Sequence, residues 1–187
     1  MSLRVIAGKA KGHKLQTVAG KGTRPITDRV KENLFNILGA DVAESTWWDL
    51  FGGTGAVGIE ALSRGAEFVR YCEMSRAAIN VIRQNLAHCK LGNQAEIRRG
   101  DALAFLAAPP DRQFDYIYIA PPQYKGIWLR TLLLVDENPA WLSDESWVIV
   151  QIHPNEYREG ENIVLKNLRE FDQRKYGSTL LVFYEKI

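Results

Sequence analysis

The 187-residue sequence has few cysteines and no long apolar run, and both shortages limit what the protein can be. Cys72 and Cys89 are its only cysteines, too few for a disulfide framework or a cysteine-based metal cluster. No apolar run approaches the roughly 20 residues that a membrane helix needs, and the first residues lack the apolar segment of a secretory signal. We therefore expect a cytoplasmic protein with no bound metal.

Acidic residues are scarce at the N-terminal end. The first 31 residues contain eight Lys or Arg against Asp28 alone, a net charge of +7, whereas the whole chain carries only +2. The other 156 residues must then carry −5. Such segregation favours a polyanionic partner at this end of the chain. A solvated basic segment with no partner explains the charge equally well, so charge alone does not decide.

From Trp47 onward the sequence alternates between short apolar strands and amphipathic helices, which predicts a doubly wound, mostly parallel sheet. The predicted strands are residues 47–51, 68–73, 95–99, 114–119 and 147–152. Two further strands, 168–176 and 178–184, are separated by Gly177 with no helix between them, so they predict an antiparallel hairpin. This α/β layout resembles the Rossmann-like methyltransferases more than the dinucleotide dehydrogenases.

The first 40 residues form a predicted extension to a domain at 41–187. Residues 3–7 and 13–17 are β-like and flank a basic segment bounded by glycines, which predicts a hairpin. A helix is expected from Thr27 or Asp28 to Leu38, ended by Gly39. If the polyanionic partner is RNA, the residues of the extension expected to bind it are Lys9, Lys11, His13, Lys14, Lys21 and Arg24.

A glycine-rich turn follows the first predicted strand of the sheet. Residues 53–58 match the dinucleotide fingerprint G-x-G-x-x-G, and such a turn brings backbone N–H groups close to a ligand. S-adenosylmethionine enzymes have a glycine turn at the same place, so the motif leaves both cofactors open. A nicotinamide enzyme is therefore an alternative that rests on the fingerprint alone.

Carboxylates at three successive strand ends favour S-adenosylmethionine. Asp49 precedes the turn, where it suits a cationic methionine group and would repel a pyrophosphate. Glu73 is placed to accept hydrogen bonds from ribose hydroxyls, and Asp101 to accept one from the adenine amine. The predicted cofactor-binding residues are Thr27, Arg29, Asp49, Phe51, Gly52, Gly53, Thr54, Gly55, Glu73, Met74, Asp101 and Ala102.

A second candidate segment, residues 120–124, follows the fourth predicted strand. Pro121 and Pro122 fix the backbone and remove two N–H donors, which leaves carbonyl groups that can accept from a nucleobase amine. An aromatic residue beside them can stack on the base. A proline-stiffened turn without chemistry explains the segment equally well in isolation. The predicted catalytic residues are Ala120, Pro121, Pro122, Gln123 and Tyr124.

Nearly the whole chain resembles the RsmD-type family of 16S ribosomal RNA guanine-N2 methyltransferases. The stretches that carry this resemblance are residues 4–8, 24–38, 49–55 and 58–66. The resemblance implies binding of S-adenosylmethionine and methyl transfer to the exocyclic N2 amine of a guanine in ribosomal RNA or the assembling small subunit. We further expect a monomer with no membrane contact.

The chain departs from the family at the proline segment. The family motif is Asp-Pro-Pro-aromatic, whereas Ala120 and Gln123 occupy the first and last positions here, and Tyr124 comes one place late. In the family pattern the Asp accepts from the target amine and the aromatic residue packs on the base. Gln123 and the loop carbonyls offer substitute acceptors, which favours catalysis with altered base recognition. A non-catalytic RNA-binding or ribosome-assembly protein is the alternative.

Overall fold

In the computed structural model, residues 3–19, 25–160 and 162–187 are described, and the chain divides into two compact units, Met1–Gly100 and Asp101–Ile187. The first unit alternates helices with strands. Its elements are α1 (Asp28–Leu38), β1 (Thr46–Asp49), α2 (Ala56–Ser63), β2 (Phe68–Glu73), α3 (Arg76–His88) and β3 (Ala95–Arg99), with short 3-10 turns at Gly39–Val42 and Gly92–Gln94.

The three strands of the first unit pair in parallel in the order β3-β2-β1. Trp47 and Trp48 on β1 are both fully buried, and so is Tyr71 on β2. Burial on both faces is what parallel strands covered by helices require, and it explains why β1 is apolar at successive positions. The parallel pairing aligns the carboxyl ends of β1 and β2, since Asp49 lies opposite Tyr71.

Helices α1 and α3 begin where their capping residues predict, and α1 ends at its predicted glycine. The Thr27 hydroxyl accepts a hydrogen bond from the Val30 N–H at the start of α1, and Gly39 ends this helix with a φ of 60°. Ser75 caps α3 in the same way through the Ala78 N–H. These local signals confirm the predicted helix at Asp28–Leu38.

The N-terminal segment forms less β-structure than predicted: instead of two strands, Arg4 and Lys14 form an isolated antiparallel bridge. The two arms are still paired, since the Val5 N–H donates to the His13 carbonyl at 3.0 Å. The Ile6 and Ala7 N–H groups instead donate to the carboxylate of Glu60 on α2, at 2.8 and 3.0 Å. Because α2 takes up these donors, the two arms do not extend into a regular ladder.

The second unit begins with a helix and ends with the antiparallel hairpin. Its elements are α4 (Ala102–Ala107), β4 (Phe114–Ile119), α5 (Ile127–Glu137), β5 (Leu142–Ile152), β6 (Leu168–Tyr176) and β7 (Thr179–Lys186), with 3-10 turns at Pro139–Trp141 and Pro154–Gly160. The strand order is β4-β5-β7-β6, with β4 and β5 parallel and β7 antiparallel to both neighbours.

Strand β5 starts at Leu142, five residues before the predicted start at Trp147. Leu142 pairs with Phe114 of β4, but the register shifts before Tyr116 pairs with Trp147. The intervening residues include exposed Asp144 and Glu145, and Glu145 has a positive φ of 62°. Because the residues at this irregularity are polar, a prediction based on apolar runs misses the early part of the strand.

The chain therefore has the predicted α/β class: the described residues contain seven strands, with parallel pairs followed by a terminal antiparallel hairpin. Both hairpin strands lie within one or two residues of their predicted bounds. In the described ranges, no helix is both long and apolar enough to cross a membrane.

Candidate active site

The glycine turn connects β1 to α2 and is held by backbone hydrogen bonds. Gly53 and Gly55 have positive φ angles of 53° and 77°, which glycine adopts without steric cost. The Gly55 N–H donates to the Gly52 carbonyl at 2.7 Å, and the Gly52 N–H donates to the Cys72 carbonyl at 2.9 Å. Helix α2 then begins without a side-chain cap, so the turn presents backbone rather than side chains.

Two glycines of this segment lie where close packing against neighbouring elements leaves little room for a side chain. A Cβ on Gly52 would lie 2.9 Å from Ile82 of α3. A Cβ on Gly58 would lie 2.4 Å from the Tyr71 hydroxyl and 2.6 Å from Val69, both on β2. The third glycine of the fingerprint therefore serves helix–strand packing.

Asp49 ends β1 immediately before the turn, and its side chain is buried. Its carboxylate accepts a long hydrogen bond of 3.3 Å from the Phe51 N–H. Burial raises the pKa of Asp49 from 3.8 to about 7, helped by the nearby charge of Glu73 and opposed by the Phe51 hydrogen bond. A carboxylate destabilised in this way is prepared to gain from a cationic partner.

Glu73 binds the glycine turn directly, a role that its sequence position did not reveal. One carboxylate oxygen accepts from the Gly53 N–H at 3.0 Å. The other accepts from the N–H groups of Met74 and Ser75, at 2.9 and 2.8 Å. Glu73 therefore joins the ends of β1 and β2, and a carboxylate has about four acceptor positions, so capacity for a ligand hydroxyl is left.

Asn85 of α3 was missed by sequence reasoning, although it supports the same turn. Its buried amide nitrogen donates to the Thr54 carbonyl at 2.9 Å and to the Gln16 carbonyl at 3.0 Å. Its amide oxygen accepts from the Gln16 N–H at 2.8 Å. One side chain thus connects the glycine turn to the basic N-terminal segment, and a lone Asn in an amphipathic helix gives no sequence signal for this.

The remaining predicted cofactor residues of the first unit differ in exposure. Thr27 is exposed and already caps α1, and Arg29 is exposed on the same helix. Phe51 is half-buried in the turn, whereas Met74 is 66% exposed after β2. An exposed methionine of this size offers apolar surface to a flat ligand.

In the second unit, Asp101 and Ala102 stand at the start of α4. The Asp101 carboxylate caps this helix by accepting from the Leu103 N–H at 3.0 Å, and its side chain is exposed. Ala102 is buried. Capping occupies one oxygen of Asp101 and leaves the other available to a donor.

The proline segment also connects a strand to a helix, here β4 to α5. Pro121 is buried, Pro122 is exposed, and Ala120 and Gln123 are half-buried. Tyr124 has a positive φ of 59°, which is uncommon for a non-glycine residue. Its N–H donates to a carboxylate oxygen of Glu156 at 2.7 Å, and Glu156 is buried. Sequence reasoning did not single out Glu156.

The predicted RNA-binding residues within the described part of the chain lie on the N-terminal segment. Lys11 and Lys14 are exposed, and the exposed Lys9 donates to Gln94 at 2.7 Å. His13 is half-buried, with its ring 5.0 Å from that of His88. Lys21 and Arg24 lie outside the described residues.

Lys31, in contrast, is a basic residue of this region that is unavailable to a ligand. Its ammonium lies 3.3 Å from the Glu60 carboxylate and donates to the Arg4 carbonyl, and both side chains are fully buried. Burial lowers the pKa of Lys31, and the Glu60 charge opposes this shift. Glu60 also accepts from Arg64 at 2.8 Å. This cluster attaches the N-terminal segment to α1 and α2.

Comparisons with known proteins place the chain in a family. The model of the family described as "Conserved hypothetical protein 95" matches residues 3–185. Ribosomal RNA small subunit methyltransferase D of Escherichia coli is 38% identical over 149 residues, which are 80% of this chain and 74% of that one. The chain belongs to this family. The predicted resemblance to RsmD-type proteins is confirmed.

Other family members cover the chain more completely. YlbH of Bacillus subtilis is 36% identical over 98% of this chain and 99% of its own. The solved structure of yhhF from Escherichia coli is 31% identical, covers 100% of this chain and 98% of its own, and has a TM-score of 0.86. The shared fold therefore includes both the glycine turn of the first unit and the proline segment of the second.

Proposed function

We propose that this protein transfers a methyl group from S-adenosylmethionine to the exocyclic N2 amine of a guanine in small-subunit ribosomal RNA. Family membership supports the reaction class, because relatives are named ribosomal RNA small subunit methyltransferase D. The structural observation that supports it most is the buried Asp49, with its raised pKa, at the base of a bare glycine turn.

The residues of the first unit fit S-adenosylmethionine. Asp49 offers a poorly compensated buried carboxylate to a positively charged methionine group. A Cβ on Gly53 would find only the Phe51 carbonyl within 4 Å, at 3.8 Å, so open space adjoins the turn. Glu73 retains acceptor capacity for ribose hydroxyls. When bound, the cofactor supplies a methyl group on a sulfonium. Transfer of this group needs little acid–base assistance.

The protein's own contribution is to position and desolvate the guanine amine. The N2 lone pair is delocalised into the ring, so the rate depends on orientation near the methyl carbon. In our proposal the Gln123 amide oxygen accepts from this amine in place of the family's Asp, with the carbonyls of Pro121 and Pro122 as further acceptors. Ala120 leaves room at the position where that Asp stands.

The basic N-terminal segment holds the RNA backbone in this proposal, which treats residues 1–40 as an extension to a methyltransferase domain at 41–187. Exposure of Lys11 and Lys14 supports this role. Contacts of lysine with phosphate position an RNA without reading its sequence, and they weaken as salt rises.

The test is transfer of labelled methyl from S-adenosylmethionine to small-subunit RNA that lacks its natural methyl groups, followed by nucleoside analysis. We expect N2-methylguanosine. Gln123→Ala should reduce the rate about ten- to hundredfold, because an unpaired amine donor costs roughly 1–3 kcal/mol. Ala120→Asp restores the family acceptor and should leave the rate equal or higher. An unchanged rate in Gln123→Ala would contradict the acceptor role of Gln123.

The alternative is a non-catalytic RNA-binding or ribosome-assembly protein, favoured by Ala120 and Gln123 at the family's two functional positions. It predicts binding of both S-adenosylmethionine and RNA with no methyl incorporated, even in Ala120→Asp. A product in another nucleoside would instead indicate altered specificity.

We further propose that the protein acts in the cytoplasm as a monomer on the assembling small subunit. Light scattering of the purified protein tests whether it is a monomer. Parallel methylation of naked 16S RNA and of small-subunit particles tests whether the assembling subunit is the substrate. We expect higher activity on the particles.

A further inference from the structure

Glu156 holds the backbone of the proline segment in a strained conformation. Tyr124 has a φ of 59°, in the left-handed region that costs a non-glycine residue roughly 1–2 kcal/mol. One carboxylate oxygen of the buried Glu156 accepts from the Tyr124 N–H at 2.7 Å. The other accepts from the His153 N–H at 3.0 Å. Such strain persists only where the surroundings enforce it, and it concentrates at functional sites.

The consequence of this backbone conformation is an exposed aromatic pair. Tyr124 is 62% exposed, and its ring lies 5.5 Å from the half-buried ring of His153, centre to centre, at an angle of 42°. A large aromatic side chain left this open gains little for stability. Two neighbouring rings with accessible surface are the arrangement on which unpaired nucleobases stack.

The fold brings the two rings together because they follow adjacent parallel strands. Ile119, the last residue of β4, pairs with Val150 of β5, so both strands end at the same edge. Tyr124 lies in the connection that leaves β4, and His153 directly follows β5. Glu156 lies in the next helical turn and accepts hydrogen bonds from both segments, which fixes one relative to the other.

We infer that Tyr124 and His153 together form the stacking surface for the target guanine, with Glu156 as the positioning residue that fixes both. This rests on the proposed methyl transfer to RNA, and it extends that proposal by assigning His153 and Glu156. It also accounts for the late aromatic: with Gln123 in the family's aromatic position, the left-handed turn at Tyr124 presents a ring from the next residue.

The experiment measures methyl transfer to small-subunit RNA and, separately, the affinity for S-adenosylmethionine. Tyr124→Ala should reduce kcat/KM for RNA about ten- to hundredfold, because stacking of one base on an aromatic ring has that effect. Tyr124→Phe should stay within about twofold of the wild type. His153→Ala should lose about three- to tenfold, and His153→Phe should restore most of it. Cofactor affinity should not change in any of them.

The role of Glu156 is tested by combining substitutions. Glu156→Gln keeps the size of the side chain but offers only one acceptor to two N–H donors. Alone it should lower kcat/KM about three- to tenfold. In the double variant Tyr124→Ala/His153→Ala, Glu156→Gln should lower kcat/KM further by less than about twofold, because Glu156 acts through those two rings. Equal losses in both backgrounds would show a merely structural role and overturn the assignment.

Two controls separate this inference from general damage and from the proposed function. Tyr176→Ala removes a half-buried tyrosine from the end of β6 and should leave kcat/KM unchanged. Thermal unfolding identifies variants that fail to fold. A wild type that binds S-adenosylmethionine but methylates no RNA defeats the proposed function itself. An active wild type with Tyr124→Ala and His153→Ala both within twofold defeats the stacking surface alone.

Discussion

The glycine turn of the first unit and the proline segment of the second solve the same problem in different ways. Each leads from the end of a parallel strand into a helix, and each ends in a left-handed glycine without a side-chain cap, Gly55 or Gly126. In the first, glycines supply the positive φ angles. In the second, Gly126 supplies one and Tyr124 adopts another, and the distant Glu156 accepts from the Tyr124 N–H.

The two connections differ in which residues hold the left-handed backbone in place. The glycine turn is permitted by its own residues, and Glu73 and Asn85 add support from outside. The proline segment depends on a carboxylate that lies 32 residues away along the chain. A local motif search therefore finds the residues that adopt the positive φ angles of the first connection, but not the distant carboxylate that holds the second. If this contrast holds, substitutions in the two connections should differ in their effects.

The largest effect concerns buried charge, since the glycine turn is preceded by Asp49 and the proline segment begins with Ala120. The folded-state pKa of Asp49 is about 7, against an ordinary 3.8. Below pH 4 the carboxyl group is protonated in both the folded and the unfolded state. Between pH 4 and 7 only the unfolded state releases the proton, so Asp49 lowers the free energy of unfolding as pH rises, by roughly 4 kcal/mol at most.

Cofactor binding should show the opposite trend. A cationic ligand favours the ionised carboxylate, so the affinity for S-adenosylmethionine should rise by up to about tenfold per pH unit until pH 7, with release of a proton. Calorimetry in buffers of different ionisation enthalpy measures this release. Asp49→Asn should remove both pH trends. A wild-type affinity that does not depend on pH would contradict the proposed interaction between Asp49 and the cationic ligand.

A smaller effect tests whether packing as well as φ requires glycine in the first connection. Gly58→Ala places a Cβ within 2.6 Å of two atoms of β2, so the free energy of unfolding should fall by about 1–3 kcal/mol. Urea denaturation measures the change. The matched control is Gly92→Ala, where a Cβ would meet nothing within 4 Å, and it should be neutral or slightly stabilising.

Exchanging residue types between the two connections tests the contrast directly. Gly53→Ala finds space but imposes a φ of 53° on alanine, so we expect a loss of about 1–2 kcal/mol. Tyr124→Gly removes the strain and adds chain entropy, and these should offset each other to within about 1 kcal/mol. If Tyr124→Gly proves as costly as Gly53→Ala, the left-handed backbone is not the strained feature of the proline segment.

The smallest effect is expected outside both connections, on the basic N-terminal segment. Lys11→Ala should change the free energy of unfolding by no more than about 0.5 kcal/mol, because the side chain is exposed. The slope of log affinity for RNA against log salt should fall in magnitude by about 1. Glu44→Ala, another exposed change, should leave that slope unaltered.

Several features could be read in the sequence because neighbouring residues create them. The strand–helix alternation, the caps at Thr27 and Ser75 and the glycine turn depend on contacts within a few positions. Such patterns fixed the fold class and all seven strands to within a few residues, apart from the early part of β5. The predicted ligand roles of the site residues stay predictions.

What only the tertiary structure decided is which distant groups accept from which partly buried backbone donors. Glu60 accepts from Ile6, 54 residues earlier, Asn85 reaches Gln16 across 69 residues, and Glu156 reaches back to Tyr124. Each partner is an ordinary polar residue whose neighbours carry no signal. A backbone N–H that folding withdraws from water must find an acceptor, but folding alone brings a particular acceptor within 3 Å, so these contacts follow from packing and from no local pattern.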